Sequence, residues 1–189
     1  LNITADFITL DSQYGGASGG LAISMDTSAA YGLGAYVGYA AANGGISIRN
    51  QGAQPSEYVR LFDGSTYGGG LTFTNTGDVH TGLGDGMEFG SYGGGINDIT
   101  VKSLSGNLYL DGGYFDQSGS SSTLKFAAAG NIYGYSDISA VGNLSLQAGG
   151  DFFGYSCLSA EGGAISVQAR NVHLGSFGYY GGYASIMGY

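Results

Sequence analysis

Gly142–Gln168, which reads GNLSLQAGGDFFGYSCLSAEGGAISVQ, decides the fold. It holds a turn, a short strand of alternating polarity, a second turn and strand, and then the first pair again. Leu144-Ser145-Leu146-Gln147-Ala148 returns as Ile165-Ser166-Val167-Gln168-Ala169, and Gly134-Tyr135-Ser136-Asp137-Ile138-Ser139-Ala140 returns as Gly154-Tyr155-Ser156-Cys157-Leu158-Ser159-Ala160. The unit is about 20 to 21 residues long. A unit recurring at that spacing, built from period-2 segments with no 3.6-residue pattern, is the signature of a β-solenoid, in which each repeat buries its apolar side against the next.

Toward the N-terminus the same unit recurs in a longer form. Ala17-Ser18-Gly19-Gly20-Leu21-Ala22-Ile23, Ala42-Asn43-Gly44-Gly45-Ile46-Ser47-Ile48, Tyr67-Gly68-Gly69-Gly70-Leu71-Thr72-Phe73 and Tyr92-Gly93-Gly94-Gly95-Ile96 begin 25 residues apart. Alternation turns one set of side chains inward and sends Ala22, Ser47, Thr72, Lys125, Ser145 and Ser166 outward. The stacked core expected from this pattern is Leu21, Ile46, Leu71, Ile96, Leu124, Leu144 and Ile165. A second apolar column, Ile8, Leu33, Tyr58, Leu83 and Leu108, continues through Ile132, Phe152 and Val172, so each coil carries at least two strands. Gly20, Gly45, Gly70, Gly95, Asn107, Asn131 and Asn143 precede the strands, and these residue types tolerate positive φ where a chain bends sharply.

The pattern stutters at Asp98, which falls where an inward residue is due; a one-residue bulge restores alternation at Ile99. Gln117 to Ser122 absorb a further insertion ahead of Leu124. The expected fold is therefore all-β, a right-handed parallel β-helix (β-solenoid) of about 7 to 8 coils. It forms a single domain over 1–189, with 25-residue coils over 1–103 and coils shortening to about 20 residues over 104–189. At about 4.8 Å per stacked strand the rod is about 35 to 40 Å long.

Composition narrows the function. Glycine is abundant, 39 of 189 residues, but proline occurs once and no every-third-residue glycine is present, which excludes collagen. With 43% hydrophobic and 10% charged residues the chain has the opposite of a disordered composition. The net charge is −9, and Arg49, Arg60, Lys102, Lys125 and Arg170 are scattered along the sequence, so no nucleic acid partner is expected. No apolar run approaches 18 residues, and no membrane insertion is expected. Leu1 begins no basic-then-apolar signal segment, which leaves a soluble mature product or a piece of a longer chain. Cys157 stands alone as a small filler beside Leu158, with no disulfide framework.

A β-helix enzyme acting on acidic polysaccharide gathers carboxylates and basic groups on one face for acid/base work. The acidic residues here sit mostly beside glycine, as in Asp63-Gly64, Asp85-Gly86, Asp111-Gly112 and Gly150-Asp151, where aspartate forms turns through its own side-chain hydrogen bonds. No catalytic residue, no enzyme activity and no cofactor are expected. Asp78-Val79-His80, followed by Asp85 and Glu88, is the densest polar cluster and the one place to look for calcium or another metal. It lacks the repeated spacing of calcium-binding β-rolls, and no metal ligand set is assigned. The sixteen tyrosines carry the remaining signal. Tyr14 with Tyr39, Tyr67 with Tyr92, and Tyr133 and Tyr135 with Phe153 and Tyr155 fall at coil spacing and are expected to stack in ladders, worth about 0.5 to 1.5 kcal/mol per pair. Such ladders join successive coils, and where exposed they offer an interface for sugar rings or for lateral packing of rods.

Ala129-Gly130-Asn131-Ile132, Ile138-Ser139-Ala140 and Val141-Gly142-Asn143-Leu144-Ser145-Leu146-Gln147-Ala148-Gly149-Gly150-Asp151 resemble the degenerate repeats of filamentous-haemagglutinin-like adhesins, the large exoproteins of two-partner secretion. The resemblance is best over about residues 104–176. It implies a right-handed β-helical shaft that is secreted, extracellular and displayed at the bacterial cell surface for attachment or extension. The residues themselves point to a mechanical role: Phe177 to Ile186 still read as another coil, so self-association end to end, or continuation in a longer chain, is the expected partner. An adhesin segment binding host or environmental glycans through its tyrosines is the alternative, and a polysaccharide-active β-helix enzyme the third reading.

Overall fold

Alternation sets the first sheet. Asn2–Ile3, Leu21–Asp26, Ile46–Gln51, Leu71–Asn75, Ile99–Ser103, Thr123–Ala128, Asn143–Ala148 and Ile165–Gln168 lie side by side in that order, every pair parallel. Parallel neighbours in sequence order require the chain to make one circuit between each strand and the next, and this is what makes the molecule a β-solenoid. The structure, a computed structural model, describes residues 2–3, 8–11, 21–26, 36–42, 44–51, 59–61, 63–67, 69–81, 88–92, 97–112, 114–117, 121–175 and 185–188. Among these residues there is no helix.

The circuits close through two further sheets. The second runs through Val59–Leu61, Val79–His80, Leu108–Leu110, Ile132–Gly134, Phe152–Gly154 and Val172–Leu174. At its N-terminal end the long strand Tyr36–Ala42 pairs with Ile8–Asp11 on one side and divides on the other. Tyr36 and Val37 pair with Val59–Leu61, while Ala40 to Ala42 pair with Asp63–Tyr67, which leads on to Glu88–Tyr92 and Tyr114–Gln117. The third sheet is Ile138–Ala140, Cys157–Ala160 and Ser185–Gly188. A coil such as 143–160 thus has three strands, one more than the two apolar columns require.

The interior is a set of stacked rows. Leu21, Ile46, Leu71, Ile99, Leu124, Leu144 and Ile165 share one register row, and Ile23, Ile48, Phe73, Val101, Phe126, Leu146 and Val167 the next. From Ile46 to Leu144 the described members of both rows are at most 2% exposed, each contributing about 1.5 to 3 kcal/mol of burial. The expectation had Ile96 beside Leu71. Ile96 lies outside the described residues, and the rung is held by Ile99. The displacement comes from the corner: Leu71 N–H donates to the Asp98 carbonyl at 2.9 Å, and Asp98 Oδ1 accepts from Thr123 N–H at 2.7 Å. Asn97 and Asp98 therefore belong to the bend rather than to the strand.

The second column also shifts. Leu108 is registered on Val79, not Leu83, and onward to Ile132, Phe152 and Val172; Val59 is the partner of Val79. The turn after Leu71–Asn75 is tight, so the next strand begins four residues earlier than a constant period places it. Leu33, Tyr58 and Leu83 lie outside the described residues.

A third inward row changes chemistry along the rod. Asn50, Asn75, Ser103, Ala128 and Ala148 occupy equivalent positions. Asn50 Nδ2 donates to Asn75 Oδ1 at 2.8 Å, Asn75 Nδ2 to the Asp78 carbonyl at 2.8 Å, and Ser103 Oγ to the Gly77 carbonyl at 2.8 Å. Asn75 and Ser103 thereby satisfy corner carbonyls in the longer coils, and Asn50 bonds to the Asn75 side chain. Where coils shorten to 20 residues, as between Asn131 and Asp151, alanine takes the row.

Corner glycines are required for a reason other than the one expected. Gly45 and Gly70 do not have left-handed φ. A Cβ on Gly70 would lie on the carbonyl oxygen of Asp98 in the next coil, and one on Gly45 would stand 3.3 Å from the Gly70 carbonyl oxygen. Close stacking of backbone, not backbone dihedral, excludes a side chain at Gly70 and crowds one at Gly45.

Candidate functional site

The outer face of the second sheet carries an aromatic ladder. Because Leu108, Ile132, Phe152 and Val172 share the inward row, the residue after each must share the outward one: Tyr109, Tyr133, Phe153 and His173, preceded by His80. Ring centroids are separated by 4.3 Å for His80 and Tyr109, 5.0 Å for Tyr109 and Tyr133, 5.1 Å for Tyr133 and Phe153, and 4.7 Å for Phe153 and His173, with planes within 10° of parallel. A strand spacing of about 4.8 Å is what allows parallel rings on successive coils to touch. Tyr135 and Tyr155 form a shorter file beside it, 5.5 Å apart, with Tyr135 6.1 Å from Tyr133.

Side-chain hydrogen bonds at the adjoining corner hold the ladder in register. Asp78 Oδ1 accepts from Asn107 N–H at 2.7 Å, Asn107 Oδ1 from Asn131 N–H at 2.8 Å, and Asn131 Oδ1 from Asp151 N–H at 2.8 Å. The amide of Asn131 donates to the Tyr133 hydroxyl at 3.0 Å. Histidines stand at both ends of the five rings, each beside a carboxylate: His80 Nδ1 lies 2.8 Å from Asp111 Oδ2 and His173 Nε2 3.6 Å from Asp151 Oδ2.

Of the expected ladder residues, Tyr133, Tyr135 and Tyr155 are brought together here. Tyr67 and Tyr92 are backbone register partners. Tyr39 is registered on Thr9, and Tyr14 lies outside the described residues. A bulge between Ile8 and Thr9 shifts that pairing away from the constant period. Tyr109, His80 and His173 were missed, although each follows a column residue directly and an i+1 rule applied to the inward row finds Tyr109 and His173. Of the polar cluster, Asp78 serves the corner and His80 the ladder, while Asp85 lies outside the described residues. No group of three His, Cys, Asp or Glu side chains suited to a metal ion occurs among the described residues. No helix among them is long and apolar enough to cross a membrane. Cys157 N–H donates to Asp137 Oδ1 at 2.8 Å, so the corner device recurs at the third sheet.

No protein-family model, no curated protein and no solved structure matches the chain.

The ladder has a measurable electrostatic consequence. Burial, with the nearby Asp78 carboxylate, raises the Tyr109 pKa above the ordinary value of about 10, and burial, with neighbouring Tyr155, raises that of Tyr135. Below pH about 10 both phenols are neutral in the folded and the unfolded chain, and their contribution is fully present. As pH rises from there through the raised folded values the unfolded chain ionises first, and stability is lost. Denaturant titrations at stepped alkaline pH are expected to show this decline, and Tyr109→Phe with Tyr135→Phe to flatten it; an unchanged slope in the double variant would contradict the assignment.

Proposed function

We propose that the chain is a structural, extracellular shaft: a right-handed β-solenoid of about 7 to 8 coils that extends by stacking coil on coil, as the resemblance to filamentous-haemagglutinin-like repeats implies. The observation that carries this reading is the state of the last described coil. Positions that are closed in the preceding coil, Phe152 and Leu158, recur as Val172 at 48% and Ile186 at 46% exposure, with Leu174 at 49%. Ile165–Gln168, Val172–Leu174 and Ser185–Gly188 each end their sheets among the described residues. Three adjacent edges with core-type side chains make a template for another coil, supplied by a second copy or by further chain. A contact of unlike ends does not close on itself, so copies joined this way form a fibre.

Electron microscopy and sedimentation across a concentration series test the stacking. Thin filaments lengthening with concentration are expected, and Leu174→Asp is expected to leave the circular dichroism intact while abolishing them. Filaments from Leu174→Asp at the parental concentration would place the interface elsewhere. The exposure of Tyr135, at 40%, supports a second reading, an adhesin segment whose Tyr135 and Tyr155 rings receive sugar.

A further inference from the structure

The outward face of the first sheet collects basic residues that are far apart in sequence. Two outward rows cross it: Ala22, Ser47, Thr72, Thr100, Lys125, Ser145 and Ser166, and beside it Ser24, Arg49, Thr74, Lys102, Ala127, Gln147 and Gln168. Three of the protein's five basic residues, Arg49, Lys102 and Lys125, stand in these rows, and no carboxylate does, in a chain of net charge −9. No ion pair engages Lys102 or Lys125 among the described residues.

The face is also concave. Ala127 points outward between Lys102 and Gln147 in its row yet is only 8% exposed, and it floors a groove of about 630 Å³. Lys102, Lys125, Gln147 and Gln168 line the groove, with Leu104 on its wall at 38% exposure. Lys102 and Lys125 lie on adjacent strands, offset by two residues, so their Cα atoms are about 8 Å apart, and Arg49 is two strands beyond Lys102, about 10 Å along the axis.

We propose that this groove is a binding site for a linear acidic polysaccharide of the uronate type, lying along the rod axis across the strands. Lys102 and Lys125 pair with carboxylates. The Gln147 and Gln168 amides exchange hydrogen bonds with hydroxyls, each amide being both donor and acceptor. Ala127 and Leu104 meet the C–H faces of the rings. Cations this sparse fit a chain with one carboxylate per one or two sugars better than a phosphate polymer, whose affinity grows with many contiguous cations. The site lies on the first sheet, the ladder on the second, and both lysines stand on strands that precede the terminal strand Ile165–Gln168.

The test is a binding titration of the full chain with polygalacturonate, with its fully methyl-esterified form and with inorganic polyphosphate as comparisons. Polygalacturonate is expected to bind saturably, to weaken with added salt, and to lose about tenfold in affinity, or more, in K102Q/K125Q. R170Q and Y135A/Y155A are expected to bind as the parent does. Both lysines are outward-facing, so the melting curve of K102Q/K125Q should be close to the parent's. Failure of polygalacturonate to bind, equal binding of the esterified chain, tighter binding of polyphosphate, or an affinity unchanged in K102Q/K125Q would each overturn the proposal.

Discussion

Phe126→Ala is expected to destabilise the protein by about 3 to 5 kcal/mol. Phe126 has no exposed surface and sits mid-row between Val101 and Leu146, with the edge of its ring 79° to that of Phe115 at a centroid distance of 5.2 Å. Its neighbours are held by backbone hydrogen bonds to the coils above and below, so they cannot collapse into the space the ring leaves, and the loss comprises both transfer and cavity. Phe126→Leu should recover part of it. Because each coil rests only on its neighbours, the injury is local, and the unfolding curve is expected to broaden or split where the coil 123–140 uncouples. Denaturant unfolding followed by circular dichroism reads both; a loss below about 1 kcal/mol would mean that this part of the interior is not close-packed.

Gly149→Ala is expected to reverse the usual sign of its class. Replacing glycine by alanine at an unstrained position commonly stabilises by about 0.4 to 1 kcal/mol, because the unfolded chain loses freedom. At Gly149 the new Cβ would fall on the carbonyl oxygen of Ala129, and moving the corner away breaks the bonds from Gly149 N–H to Ala128 and from Gly150 N–H to Gly130, both 2.9 Å. A cost of about 1 to 3 kcal/mol follows. Gly175 is the control: among the described residues its added Cβ would meet Tyr155 ring carbons at 3.8 Å, an ordinary contact, and Gly175→Ala should be neutral or stabilising. Equal midpoints for the two variants in thermal melts would show that coil stacking does not constrain the corner.

Period was legible where coils are uniform. Leu124, Leu144 and Ile165 fall into line because the shorter coils differ in length by one residue, and the change is absorbed at Ala164, whose N–H bonds to Asn143 Oδ1 at 3.0 Å. Ile96 misled because Gly93-Gly94-Gly95-Ile96 copies the local signal of Gly68-Gly69-Gly70-Leu71, and only the partner strand says which aliphatic residue enters the row. The corner asparagines were recognised as bend residues, but the work they do, accepting the N–H of the next coil, depends on a residue 20 to 24 positions away. The basic face was illegible for the same reason: Arg49, Lys102 and Lys125 look scattered until coils of unequal length place them in adjacent rows.

The fixed reach of these contacts bears on how such a chain folds. The corner bonds span 24 residues from Asn107 to Asn131 and 20 from Asn131 to Asp151, and among the described residues no strand pairing in the first sheet skips a coil. Loop-closure entropy depends on the length of the loop closed, so adding a coil costs the same whether it is the third or the thirtieth. Growth of the fold is therefore a repeated elementary step, and the time to complete it scales with the number of steps rather than rising with the span of the whole chain. A rod of this design can be lengthened by duplication without becoming harder to nucleate, and its first coils can be finished while later ones are still being delivered.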